Sequence, residues 1–304
     1  MIKSGFVSVV GRANVGKSTL MEKILKEKIS IISNKPQTTR DKIHIIYNDS
    51  DSQIIFIDTP GIQKPKNVLQ ERLLSFSKES LNESDLVTYV VDNSTEIGKL
   101  DRMIIDELRK VRVPIILLIN KKDLLTDDQL DELVELYKKE ELFEEILAIS
   151  ALEDTNADNY INLVKEYLRE GPAYYDRDMI TDRSERFIVA EIIREKALHN
   201  LSEEVPHGIA VRIDDFKTRD DKNLIDIRAT IIIERNSHKQ IVIGKNGSMI
   251  KKIGMDARKE IEVFLDSKVN LQLWVKVEKD WRKKDKLVDR LSLIHISEPT
   301  RRPG

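Results

Sequence analysis

The run Gly11-Arg12-Ala13-Asn14-Val15-Gly16-Lys17-Ser18 sets two glycines, a lysine and a hydroxyl at the spacing of a phosphate-binding P-loop. Its glycines let the backbone wrap closely, so that successive N–H groups and the start of the next helix face a nucleotide's phosphates. Lys17 then reaches the β- and γ-phosphates, while Ser18, with Thr19 beside it, offers a hydroxyl to Mg2+. Asp58-Thr59-Pro60-Gly61 ends an apolar run, where Asp58 can hold Mg2+ through water and the Gly61 N–H can sense a γ-phosphate. Asn120-Lys121-Lys122-Asp123 ends another, and it decides the base. The Asp123 carboxylate can accept both N–H groups on the Watson–Crick edge of guanine, and adenine has no matching pair of donors. Ser150-Ala151-Leu152 follows a further run and brings a backbone N–H for the guanine carbonyl. A tripeptide means little alone; as the last of these elements in order it completes a site for GTP or GDP.

These elements resemble the G1, G3, G4 and G5 motifs of GTPases. Between the first two lies Pro36-Gln37-Thr38-Thr39-Arg40, where a mobile threonine can complete the Mg2+ shell, with Thr39 placed ahead of Thr38. The residue after Gly61 is Ile62, where Ras-like enzymes carry a water-orienting glutamine. An isoleucine cannot hydrogen-bond water, so hydrolysis is expected to be slow or organised by another group. The P-loop resembles that of the TrmE–Era group of GTPases, which usually has a proline where Ala13 stands. In that group the asparagine matching Asn14 helps hold a potassium ion over the phosphates. The resemblance therefore implies K+ beside Mg2+, with Lys17, Thr39, Gly61 and Asn14 as the expected catalytic set.

A different constellation lies in the second half. The apolar stretch Ile241-Val242-Ile243 meets Gly244-Lys245-Asn246-Gly247, and a new helix follows that carries Lys251, Lys252, Arg258 and Lys259. The two glycines let a nucleic-acid backbone approach beside a helix N-terminus and a lysine, and the apolar residues can floor a groove for unstacked bases. Bare, Gly-x-x-Gly would fit many helix–helix turns. Here the element order and an excess of positive charge accompany it, and the unit resembles a KH domain that binds single-stranded RNA.

Each chemical group must sit at the end of an element. The apolar runs Phe6–Val10, Ile54–Ile57, Leu86–Val91, Ile115–Ile119 and Ile146–Ile149 read as strands buried on both faces. Residues 17–27, 67–81, 100–111, 127–140 and 157–168 read as amphipathic helices between them, and 42–48 forms a hairpin with the Ile54 strand. This alternation predicts an α/β fold with a doubly wound, mainly parallel sheet over residues 1–172. A charged connector follows at 173–182. Residues 183–288 then read as an α+β unit: helix 185–199, strands 208–214 and 224–234, helix–turn–helix 238–264, strand 269–278.

The charge divides with the elements. Residues 1–182 hold 25 Lys and Arg against 33 Asp and Glu, a net of −8, whereas residues 183–290 hold 24 against 19, a net of +5. Such asymmetry suits a second half that meets a polyanion. The chain has no cysteine, which excludes disulfides and thiolate chemistry. Neither a signal-peptide pattern nor an uncharged apolar stretch of the ~20 residues that span a bilayer is present, so a cytoplasmic location is expected.

A Ras-like GTPase domain of the Ile62 kind followed by one type II KH domain resembles the bacterial ribosome-assembly GTPases of the TrmE–Era group. The likeness extends over about residues 1–288 and includes Trp274-Val275-Lys276-Val277 on the last strand. It implies a monomer that binds the 3′ end of 16S rRNA during maturation of the small ribosomal subunit, with peripheral association at the cytoplasmic face of the membrane allowed. The residues alone reach only a GTP-switched RNA-binding protein. A tRNA-modification GTPase would need a folate-binding N-terminal domain and a C-terminal cysteine, and a relative with two GTPase domains would need a second P-loop. An interaction module without turnover is disfavoured by the retention of Lys17, Ser18, Asp58, Asn120 and Asp123. Finally, residues 291–304 break the charged helical pattern of Trp281–Arg290. They resemble an in-frame translation of a sequencing-library adapter and are expected to be no part of the natural protein.

Overall fold

A computed structural model describes residues 1–25, 43–61, 65–153, 156–201, 205, 208–219 and 223–292. It divides into two compact units, Met1–Lys66 with Gln70–Asp182, and Asn67–Leu69 with Arg183–Gly304.

The first unit is a sheet with helices between its strands. Its elements are β1 (Ile2–Gly11), α1 (Lys17–Leu25), β2 (Ile43–Asn48), β3 (Ser52–Asp58), α2 (Val68–Glu83), β4 (Leu86–Val91), α3 (Lys99–Leu108), β5 (Ile115–Ile119), α4 (Asp127–Lys138), β6 (Glu145–Ala148), α5 (Ala157–Tyr167) and β7 (Arg169–Gly171). Strand order is β2-β3-β1-β4-β5-β6, parallel apart from β2, which runs antiparallel to β3, and β7, which pairs antiparallel with the start of β1. The Val- and Ile-rich strands β3, β4 and β5 are buried along their whole length, as strands covered on both faces must be. Thr126 accepts from the Gln129 N–H while the Gln129 side chain returns to the Thr126 N–H, a reciprocal cap on α4.

Strand β1 is longer than the expected run at Phe6–Val10, because Ile2–Ser4 also pair, with β7 on one side. Strand β7 itself has no apolar pattern and was not expected. The connector after it is bound to the first unit by backbone and amide contacts. Gln53 accepts from the N–H groups of Tyr174 and Tyr175 and donates to the Tyr175 carbonyl at 2.9 Å, and the Ile46 N–H donates to Ile180 O at 2.9 Å.

The second unit has the order α6 (Glu185–Asn200), β8 (Ala210–Arg219), β9 (Leu224–Ile233), α7 (Asn236–Ile243), α8 (Ser248–Phe264), β10 (Lys268–Val277) and α9 (Asp285–Ser292). Its three-stranded sheet has β9 at the centre, antiparallel to β8 and parallel to β10. Ser184 caps α6, which packs against α8 and β8 and buries Ile188, Ile192 and neighbouring apolar residues. Trp281 closes this core, fully buried, with its indole N–H donating to Gly208 O at 2.9 Å. The adapter-like segment lies outside the described residues from 293 onward, although Leu291 and Ser292 extend α9.

Candidate functional site

Every strand that carries a nucleotide-site motif is parallel in the sheet, so the motif loops emerge together at its carboxyl end, where open α/β sheets bind ligands. The loop after β1 is tight. Gly16 has φ +100°, and a Cβ there would lie 2.2 Å from Asn120 Nδ2, so no other residue fits. Asn14 also takes a left-handed conformation, at φ 67°, and is exposed.

Asn120 joins three of the motifs. Its Nδ2 donates to Val15 O at 2.8 Å and its Oδ1 accepts from the Ala151 N–H at 3.0 Å, all of it buried. Lys121 is left-handed at φ 62° and begins a short turn that presents Asp123. Asp123 is exposed, and Ser150 Oγ donates to its Oδ1 at 2.5 Å. Ser150 thus orients the carboxylate and leaves acceptor capacity for a base edge. Leu152 and Leu124 stand exposed on either side of this group in the chain.

On the phosphate side, Lys17 is buried and its Nζ donates to Arg12 O at 2.9 Å and Gly11 O at 3.2 Å. Burial pushes its ammonium down to about 8, with Asp58 pulling the other way. Asp58 is the fully buried last residue of β3, and Ser18 Oγ donates to its Oδ2 at 3.5 Å. A hydroxyl and a carboxylate are the hard oxygen donors that Mg2+ takes with water and phosphate, so the pair fits that ion. Thr59 Oγ1 donates to Val9 O at 2.9 Å, which pins the Asp58–Gly61 turn to β1. A Cβ on Gly61 would lie 2.6 Å from the Ala13 nitrogen, so the turn packs against the P-loop itself. Thr38, Thr39 and Ile62 lie outside the described residues.

Sequence reasoning missed the wider use of Arg12. Its Nε donates to Asp101 Oδ1 at 2.9 Å and a terminal nitrogen donates to Asp92 Oδ1 at 2.7 Å, while Tyr89 also donates to Asp101. Burial opposes charge on Arg12, but the two carboxylates outweigh it and hold the guanidinium above its ordinary value. The side chain therefore braces the loop against α3 and the end of β4. No local spacing announces this, because the partners lie about 80 and 89 residues away.

In the second unit, Gly244, Asn246 and Gly247 have φ of 75°, 52° and 77°, three left-handed residues in four. They turn the chain from α7 into α8 and leave Lys245 and Asn246 exposed. Val242 is buried beneath while Ile241 and Ile243 are only partly covered. Lys251 and Lys252 sit exposed in the first turns of α8, close to the loop. Arg258 does not gather there; it lies ~15 Å further along the helix at 1.5 Å per residue and bonds Glu262 Oε1 at 3.1 Å.

Fold and site together define a Ras-like GTPase domain joined to a KH domain. A family described as a 50S ribosome-binding GTPase matches residues 6–121, and the KH domain family matches residues 204–282. GTPase Era of Clostridioides difficile is 53% identical over 283 residues, covering 93% of this chain and 95% of that protein. GTPase Era of Alkaliphilus oremlandii is likewise 53% identical over 280 residues, with 92% and 95% covered. Among solved structures, Era bound to MgGDPNP and nucleotides 1506–1542 of 16S ribosomal RNA superposes with a TM-score of 0.92 at 40% identity, covering 96% of this chain and 99% of that one. A variant of Aquifex aeolicus Era bound to GDP and aluminium fluoride matches equally, with a TM-score of 0.92, 40% identity and coverages of 95% and 99%. The chain belongs to the Era family of GTPases.

Proposed function

We propose that this chain binds and hydrolyses GTP in its first unit and, as a monomer, uses the Gly244–Gly247 loop of its second to capture the single-stranded 3′ end of 16S rRNA, acting as a switch in small-subunit assembly. The observation that carries the reading is Asn120, which ties the P-loop to Ala151 beside an oriented Asp123. Phosphate loop and base reader are thereby one rigid piece. Gly11–Thr19 would cradle the phosphates, Asp123 would accept from the guanine edge, and the Ala151 N–H would meet the guanine carbonyl. Ser18 and Asp58, with Thr39, would hold Mg2+, which when bound neutralises charge on the phosphates. Ile243–Gly247, Lys251 and Lys252 would contact RNA, with Arg258 further along the same helix. The Era relative holding 16S RNA supports the RNA assignment; the 50S description belongs to a domain family matching residues 6–121 only, so the full-length likeness weighs more. No described helix is long and apolar enough to cross a membrane, and any association with its cytoplasmic face would be peripheral.

Lys17 makes nucleotide binding depend on pH. Its folded value near 8 lies below the ordinary 10.5, and a docked phosphate favours the protonated form. Binding above pH 8 therefore takes up a proton, and affinity for GDP should fall by up to about tenfold per pH unit as pH rises above that point. In the free protein the sign is opposite: between those values the unfolded chain binds more protons, so this group's contribution to stability rises with pH. Calorimetry in buffers of differing ionisation enthalpy should detect the uptake at pH 8.5, and binding with no proton exchange would contradict it.

Potassium should stimulate GTP turnover relative to sodium at matched ionic strength, since Ile62 cannot orient water and Asn14 stands exposed on the P-loop. Asn14→Gly is the cleaner test of the site, because glycine keeps the left-handed backbone at no steric cost while removing the carboxamide. It should abolish the stimulation. Equal rates in the two salts would send the search to a group supplied in trans.

A further inference from the structure

Helix α2 carries buried serines at 77 and 80, on the side that meets Ser8 of β1. Their hydroxyls form a chain of contacts. Ser8 Oγ donates to Ser80 O at 2.7 Å, Ser80 Oγ donates to Ser77 O at 2.8 Å, and Ser77 Oγ donates to Pro60 O at 2.9 Å. The last contact spans the sequence from helix to motif loop. A serine inside a helix can donate to the carbonyl of the residue four positions earlier, and Leu73 O does lie 3.1 Å from Ser77 Oγ. The single hydroxyl proton thus has two acceptors, and the nearer one belongs to the nucleotide-site turn.

Pro60 O and the Gly61 N–H are the two ends of one planar peptide. Fixing the direction of the carbonyl fixes the direction of the N–H. On the other flank, Thr59 Oγ1 holds Val9 O, so the peptide is anchored from both sides of the turn. The Gly61 α-carbon lies too close to the P-loop for a Cβ, with Ala13 nitrogen 2.6 Å from that position, so this peptide sits directly against the phosphate-binding loop.

We propose that Ser77 is a positioning residue for GTP recognition and turnover: its hydroxyl holds the Pro60–Gly61 peptide so that the Gly61 N–H faces the γ-phosphate. This rests on the reading of Gly61 given above. Loss of the γ-phosphate contact need not strand the hydroxyl, because Leu73 O is within reach. Ser77 therefore favours the GTP-facing peptide without locking it.

The test measures affinities for GDP and for a non-hydrolysable GTP analogue, with single-turnover hydrolysis, in the full chain. Ser77→Ala should lower the preference for the analogue over GDP by about tenfold, the scale of one lost buried hydrogen bond, slow hydrolysis comparably, and leave GDP affinity unchanged. Ser77→Thr keeps the hydroxyl and should keep the wild-type preference. Gly61→Ala serves as the separate check on Gly61 and should abolish the preference. If Gly61→Ala abolishes it while Ser77→Ala does not alter it, the role of Ser77 is overturned and the reading of Gly61 stands. If Gly61→Ala retains the preference, the reading of Gly61 fails and takes the proposal with it. Equal weakening of both nucleotides by Ser77→Ala, or a Ser77→Thr protein as impaired as Ser77→Ala, would reduce Ser77 to a packing residue.

Discussion

Asp123→Asn should move this protein's preference from guanine to xanthine nucleotides, with GTP affinity falling by about a hundredfold or more, as expected when a site built around a polar edge loses its match. The structure makes the exchange specific. Ser150 Oγ already donates to Asp123 Oδ1 at 2.5 Å, and an asparagine can keep that bond through its own carbonyl oxygen. Its new N–H2 then opposes the guanine amino group donor to donor, and meets the xanthine carbonyl donor to acceptor. The surrounding fold should not change, because Asp123 is exposed while Asn120 does the structural bonding to Val15 and Ala151. A competition titration of GDP against xanthosine diphosphate reads the outcome. An unchanged preference would remove Asp123 from the base site.

Gly247→Asp should cost about a hundredfold or more in affinity for single-stranded RNA while leaving GTP turnover by the free protein intact. The two glycines of the loop are not equivalent as test positions. A Cβ on Gly244 would lie 2.7 Å from Met249 Cβ and from the Met249 nitrogen, so a substitution there would disturb the start of α8. Gly247 has nothing within 4 Å of that position, and its φ of 77° is one that aspartate tolerates better than most residues. The protein should therefore fold and present a carboxylate where phosphate must approach, reversing the local charge that drives such binding. Filter binding at fixed salt, beside a circular-dichroism check, decides it; undiminished affinity would discard the loop as the RNA contact.

Most of the nucleotide site was legible because each motif terminates a strand whose apolar character is unmistakable. Once Phe6–Val10, Ile54–Ile57 and Ile115–Ile119 are read as parallel strands, Gly11, Asp58 and Asn120 must emerge at one end of the sheet. The KH-like unit was legible for a different reason: Gly244 and Gly247 punctuate an otherwise helical stretch, and only a left-handed turn explains both. What stayed hidden is polar and long-range. Strand β7 is Arg169-Glu170-Gly171, three residues without periodicity that pair because the start of β1 offers an open edge. Arg12 reads only as one residue of the phosphate-binding loop, yet its side chain bonds Asp92 and Asp101. Gln53 stands just ahead of the apolar run Ile54–Ile57, and proves to be an anchor of the connector through Tyr174 and Tyr175. Ser77 and Ser80 look like the polar face of α2 and are its buried face instead. Hydrophobic periodicity reports which residues leave water; it says nothing about which buried polar groups find each other.

The central claim, that one chain couples GTP hydrolysis in its first unit to RNA capture in its second, is tested most directly by following phosphate release from radiolabelled GTP with and without single-stranded RNA of the 16S 3′ end. Release should continue well past one equivalent per chain in Mg2+ and K+, cease in Lys17→Ala, and change on addition of RNA in the parent protein but not in Gly247→Asp. Release that stops at or below one equivalent, or a rate indifferent to RNA, would contradict the account.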